Sequence, residues 1–124
     1  MRCPCRKKSE TPTYAACCQP LHLGARAAPT AEALMRSRYT AFVMKDAAYL
    51  LRTRHFTTRP ATVDFTPGLK WQMLRVIASS TNGDEATVEF AARSRTDGRI
   101  HVLHEVSRFL RVDGAWQYVD GVMK

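Results

Sequence analysis

The hydrophobic pattern changes period along the chain, helical from residue 30 and strand-like from residue 71. Leu34, Met35, Tyr39, Phe42 and Val43 recur at helical spacing and predict an amphipathic helix. Pro29-Thr30 opens it, with Thr30 placed to cap the first free amides and Glu32 in the positive first turn. Asp46 is placed to cap a shorter second helix that carries Tyr49 and Leu50 and ends near Arg54. Residues 55–69 contain Pro60, Pro67 and Gly68 and read as loop, with a short strand at Val63–Phe65.

From Trp71 onward, β-type runs are expected near 70–80, 85–95, 99–112 and 115–119. Asn82-Gly83, Asp97-Gly98 and Asp113-Gly114 separate them, and such pairs tolerate the positive φ of tight hairpin turns. In the second run Ala86, Val88, Phe90 and Ala92 share one face, with Thr87, Glu89 and Arg93 on the other. The third run is apolar on both faces, so its orientation stays open. Helices followed by a meander predict an α+β fold, helices on one face of a curved antiparallel sheet, with a pocket at one end.

Residues 1–29 follow neither period. They hold four of the six prolines and all four cysteines, and beyond Met1 their only large apolar side chains are Tyr14, Leu21 and Leu23. That is too little apolar area to offset the entropy of ordering the segment, so something covalent or coordinative must hold it if it is ordered. The expected division is therefore a small unit at 1–29 and an α+β domain at 30–124.

Cys3-x-Cys5 and Cys17-Cys18 form two thiol pairs separated by eleven residues. No apolar stretch follows the basic start, so no secretory signal is expected and a reducing, cytoplasmic setting is the default. There, clustered thiols read as metal ligands rather than disulfides. One structural zinc on four sulfurs is the leading expectation. A redox dithiol, an iron–sulfur cluster and four separately buried thiols are the alternatives. His22 is either an alternative metal ligand or a neighbouring histidine.

The formal net charge is +8, which favours acidic protein surfaces and nucleic acids, although the charges are spread along the chain. Arg6, Lys7 and Lys8 would place a basic loop between the cysteine pairs. No apolar run approaches the length of a membrane span.

Cys-Pro-Cys followed by Cys-Cys-x-Pro, with "PTAEALMRSRYTAF", "HEVSRF" and "WQYVDG" in order, resembles the YchJ-like family across nearly the whole chain. That bacterial family joins an N-terminal SEC-C zinc motif to a domain like nuclear transport factor 2, a cystatin-like roll. The motif is named from the tail of the SecA translocase motor, where it binds zinc and helps contact the SecB chaperone. The resemblance implies Cys3, Cys5, Cys17 and Cys18 as zinc ligands. The family pattern continues Cys-Pro-Cys-Gly-Ser with a shorter spacer, whereas Arg6-Lys7-Lys8 follows here, which implies a looser loop and weaker binding. Arg54 also departs, since an aromatic residue usually precedes the histidine matched by His55.

Other chemistry is sparse. His104-Glu105-Val106-Ser107-Arg108 lacks the second histidine of a zinc-protease helix and reads as strand, so His104 and Glu105 point to opposite faces. Arg38 falls beside the apolar stripe. It is either an anion-binding group at a pocket mouth or half of an internal ion pair with Glu89, Glu105 or Asp120. Trp71, Trp116 and Tyr118 read as core, and His55 as a helix-terminal residue. A pocket in the domain would be sought first at Arg38, His104, Arg108 and Trp116. With no catalytic constellation visible, the leading expectation is a non-enzymatic zinc adaptor, a monomer or homodimer, with a basic knuckle for a protein partner. A small-molecule or enzymatic pocket is the second expectation, and nucleic-acid binding the third.

Overall fold

In the computed structural model, which describes residues 1–6 and 12–124, the helices lie on one face of a four-stranded antiparallel sheet. A 3-10 turn at Tyr14–Ala16 is followed by α1 (Gln19–His22), α2 (Ala31–Met44) and α3 (Ala47–Arg52). Strands β1 (Lys70–Asn82), β2 (Glu85–Thr96), β3 (Arg99–Val112) and β4 (Ala115–Met123) pair in chain order. The α+β meander expected from the period change is present.

The predicted caps form. Thr30 Oγ1 accepts from the Ala33 amide at 3.0 Å, and Asp46 Oδ1 accepts from the Tyr49 amide at 3.1 Å. Between them Lys45 adopts the left-handed conformation (φ 58°), and Asp46 N–H reaches back to Ala41 O at 2.8 Å. This helix stop turns the chain directly into α3. The expected strand at Val63–Phe65 does not form. Pro60 and Pro67 flank the segment, and Phe65 is held edge-on to Phe42, 6.3 Å between centroids, rather than by a ladder.

The hairpins divide by turn type. Asp97 and Asp113 take φ 51° before glycines that are also positive, the I′ pattern. At the first turn only Gly83 is positive and Asn82 stays in the strand, the II′ pattern. β4 continues past its expected end because Asp120-Gly121 is no turn: Gly121 lies opposite Ser107, and pairing continues to Met123.

Ala86, Val88, Phe90 and Ala92 are buried toward the helices, as expected. The register settles β3, with Glu105, Ser107 and Phe109 facing the helices, and His104 and Arg108 facing away beside exposed Ile100 and Val102. Irregular pairings at Trp71/Met73, Val76/Ala78 and Arg108/Phe109 break the register, and such bulges bend a sheet.

Helix α2 is covered on two sides. Met35, Arg38, Tyr39 and Phe42 face the sheet, while Ser37 and Thr40 are fully buried under the cysteine segment. Cys3, Cys5, Cys18 and Leu21 belong to the same continuous buried cluster as Leu34, Tyr49 and Leu50.

Candidate functional site

The cysteine segment is folded by short-range bonds. Cys3 O accepts from the Arg6 amide at 3.0 Å, closing a turn with Pro4 at the position whose φ proline supplies. Arg2 bridges Thr13, and Tyr14 N–H bonds Met1 O at 2.8 Å, bringing the two ends of the loop together. Cys17 N–H bonds Tyr14 O, and Cys18 O accepts from His22 N–H at 2.9 Å to start α1, with Pro20 in its first turn. Lys7 and Lys8 of the expected basic loop lie outside the described residues.

These turns bring the four sulfurs of Cys3, Cys5, Cys17 and Cys18 within 4.8 Å of one another. Cys5 Sγ is 3.6 Å from Cys3, 3.7 Å from Cys17 and 3.7 Å from Cys18, and Cys17 is 3.9 Å from Cys18. A tetrahedral tetrathiolate with bonds of about 2.3 Å has edges of about 3.8 Å, and four of the six sulfur pairs stand near that spacing, the other two within 4.8 Å. This spacing suits a single ion and is tighter than the ligand sulfurs of a multi-iron cluster.

The thiol chemistry favours a cation. Hydrogen bonds from Cys18 and Cys5 hold Cys3 well below the usual thiol range. Cys18 is pushed far up by its bonds to Cys3 and Cys5 and by burial. Cys5 is favoured as a thiolate by Cys18, yet its bond to Cys3 and its burial carry it up to about 12. One thiolate thus accepts hydrogen bonds from neighbours that keep their protons and resists their further ionisation, and a bound divalent cation removes that penalty.

The surroundings fix the centre to α2. Thr40 Oγ1 lies 3.3 Å from Cys18 Sγ and 3.8 Å from Cys3 Sγ. Arg36 donates to Cys5 O at 2.8 Å and to Glu32 at 3.0 Å. His22 is not a fifth candidate ligand, because both ring nitrogens are engaged. Nε2 donates to Ser37 O at 2.8 Å, which leaves Nδ1 to accept from the Tyr14 hydroxyl at 2.9 Å. The ring also lies against Tyr49, 4.6 Å between centroids.

Arg6, Arg26 and Arg36 border a surface groove of about 160 Å³ that has Cys17 and Cys18 in its wall. Part of the expected basic face is therefore contributed by residues distant in sequence.

On the other side of α2, a cavity of about 180 Å³ opens between the helix and the inner face of the sheet. Of the four residues expected there, only Arg38 lines it. His104 faces outward and pairs with Glu89 at 2.7 Å, and Arg108 faces outward in a two-bond pair with Asp120. Trp116 is core beneath the Arg111 guanidinium. Glu89 and Asp120 are thereby engaged elsewhere, and among the described residues the internal ion pair, one of the two alternatives for Arg38, does not form. Glu105, Ser107, Tyr118 and Arg54 supply the cavity's other polar groups. Strand alternation with Phe109 signals Glu105 and Ser107 once the buried face of β3 is known, whereas nothing in the spacing signals Arg54.

Among the described residues, no helix is long and apolar enough to cross a membrane. Residues 30–121 match the family model described as "YchJ, middle NTF2-like domain". The chain is 50% identical over 122 residues to a UPF0225 protein of Streptomyces coelicolor, covering 96% of this chain and 93% of that one. A UPF0225 protein of Deinococcus radiodurans is 49% identical over 119 residues, covering 95% and 86%. Among solved structures, a SEC-C motif containing protein from Rhodopseudomonas palustris superposes with a TM-score of 0.87 at 36% identity, covering 98% of both chains. Another, from Psychrobacter arcticus, gives 0.82 at 29% identity, covering 98% and 82%. Identity at this level along nearly the full length, on the same fold, makes the chain a member of the YchJ-like (UPF0225) family of bacterial proteins.

Proposed function

We propose that the protein is a non-enzymatic, zinc-stabilised adaptor of the cytoplasm that docks an acidic protein partner on the basic face beside its cysteine centre. The observation that carries this reading is a closed four-sulfur donor set next to a groove bordered by Arg6, Arg26 and Arg36. Four sulfurs complete a tetrahedral ion, so no coordination position remains for a substrate, and the ion's role is structural. The donor spacing and all-thiolate chemistry support zinc as the ion in a reducing compartment. The groove adds cationic, hydrogen-bonding side chains suited to carboxylates. The SEC-C resemblance supports a partner of the chaperone or translocation kind.

A pull-down from a bacterial lysate tests this, comparing wild type with Arg26→Glu and with the Cys17→Ser, Cys18→Ser double variant. An acidic protein held by wild type in a salt-sensitive way, and lost in both variants, is expected. Identical partner sets from all three, with residues 30–124 folded in each, contradict the reading.

A further inference from the structure

The cavity between α2 and the sheet contains a buried cation without a matching carboxylate. Arg38 is 6% exposed. Its NH1 donates to Leu50 O at 2.8 Å and to Thr53 Oγ1 at 2.7 Å, and its guanidinium carbon lies 4.7 Å from the centre of the Tyr118 ring. Both hydrogen bonds use that single nitrogen. Among the described residues, Nε and NH2 make no hydrogen bond and no carboxylate lies within ion-pair distance. Burial lowers this arginine to about 10, so it remains charged at neutral pH. The charge is therefore offset by neutral dipoles, an aromatic face and the more distant Glu105, with no carboxylate in direct contact.

The other charges do not remedy this. Glu105 also lines the cavity and its charge favours the charged form of Arg38, but its Oε2 accepts from Ser107 Oγ at 2.5 Å and Tyr118 OH at 3.3 Å, and it forms no ion pair with Arg38. Gly121 leaves the space that Glu105 occupies, since a Cβ there would collide with its carboxylate. Arg54 adds a second cation on the same tyrosine, 5.2 Å from its ring centre. Two guanidinium groups therefore face one carboxylate. The remaining walls are apolar and aromatic, including Tyr39, Phe42, Trp71 and Phe90. The volume, about 180 Å³, exceeds the roughly 150 Å³ of an apolar protein cavity known to take benzene, so a single ring with a small substituent fits.

We infer that this cavity is a binding site for a small, single-ring or similarly compact apolar carboxylate, whose anionic group pairs with Arg38 and whose body lies among the aromatic walls. Arg54 strengthens the field at the cationic end. This is a site separate from the cysteine centre, on the opposite side of α2.

Benzoate is the probe, and benzamide its uncharged match. Titration of the full, metal-replete chain is followed by amide chemical shifts, with Trp71 fluorescence as a second readout. Saturable shifts at residues lining the cavity, at least tenfold tighter for benzoate than for benzamide, are expected. Arg38→Gln should erase that preference. Because Arg38→Gln can also disturb α3, Ala92→Leu provides an independent variant that fills the cavity and keeps both arginines. It should abolish benzoate binding in a folded protein. Equal binding of the two probes would make the cavity merely apolar. Shifts confined to the groove of Arg26 and Arg36, or no saturation at about 10 mM benzoate, would overturn the proposal.

Discussion

Thr40 Oγ1 sits 3.3 Å from Cys18 Sγ, in the middle of a helix whose neighbouring residue Arg38 faces the sheet cavity two positions earlier. Helix α2 is thus a partition. One side is finished by a cysteine centre and the other by a sheet, and each side chain between them answers to one or the other. Serine and threonine occupy the cysteine side because a hydroxyl can serve a sulfur or a carbonyl, which an aliphatic residue cannot. Ser37 bonds Leu34 O and Tyr49 OH on that same side.

Removing the Thr40 hydroxyl at constant volume isolates its service to the sulfurs. Thr40→Val should lower zinc affinity roughly tenfold in competition with a chromophoric chelator, with the sheet unchanged. An unchanged affinity would mean that the Thr40 contacts are packing only.

His22 gives the complementary case. His22→Ala leaves Ser37 O without its donor and removes the ring beside Tyr49. Stability should fall by about 2–3 kcal/mol in denaturant melts. Zinc content per chain should stay at the wild-type value, and loss of the ion from a folded variant would restore His22 as a ligand.

High pH should unfold the domain from within. Burial raises Tyr39 to about 12 and Tyr118 to about 12, against about 10 in an unfolded chain. Between those values the folded state holds protons that the unfolded state has released. The stability they contribute is complete below about pH 10 and is lost as the pH rises through about 12. Melting temperature should therefore drop above about pH 10, with tyrosinate absorbance appearing together with unfolding. Full tyrosinate absorbance in a still-folded chain would contradict this burial.

Chelation separates the two sides of α2. Structural zinc contributes on the order of 10 kcal/mol of apparent binding free energy, and a segment with so few apolar side chains has nothing comparable to replace it. Hydrogen exchange should show residues 1–25 losing protection while β2 and β3 keep theirs. Simultaneous loss in the strands would mean that the cysteine segment and the domain fold as one unit.

The meander and helix boundaries were readable because each rests on local chemistry. Aspartate-glycine pairs set the turns, and Thr30 and Asp46 cap helices whose apolar spacing is regular. At the first hairpin the turn falls on Gly83-Asp84 rather than Asn82-Gly83, since only Gly83 takes positive φ there. The clustering of Cys3, Cys5, Cys17 and Cys18 is readable from four thiols placed in a segment without a core. Thr40 and Arg36 are not, because polar residues on a helix normally signal solvent, and only the covering N-terminal segment buries Thr40 and draws Arg36 onto Cys5 O. The cavity residues were misassigned because β3 is apolar on both faces. Val102 and Ile100 look like core until pairing with β2 turns them outward, and His104 and Arg108 go with them. Arg38 was recognised beside the apolar stripe, but whether it had a carboxylate partner depended on contacts that no spacing reveals.

Bound metal at the four sulfurs is the property on which every prediction for this side of α2 depends. Native mass spectrometry of the purified wild-type chain should show one bound zinc, absent from the Cys17→Ser, Cys18→Ser variant. A wild-type chain that carries no metal while residues 1–29 remain protected from exchange would contradict it.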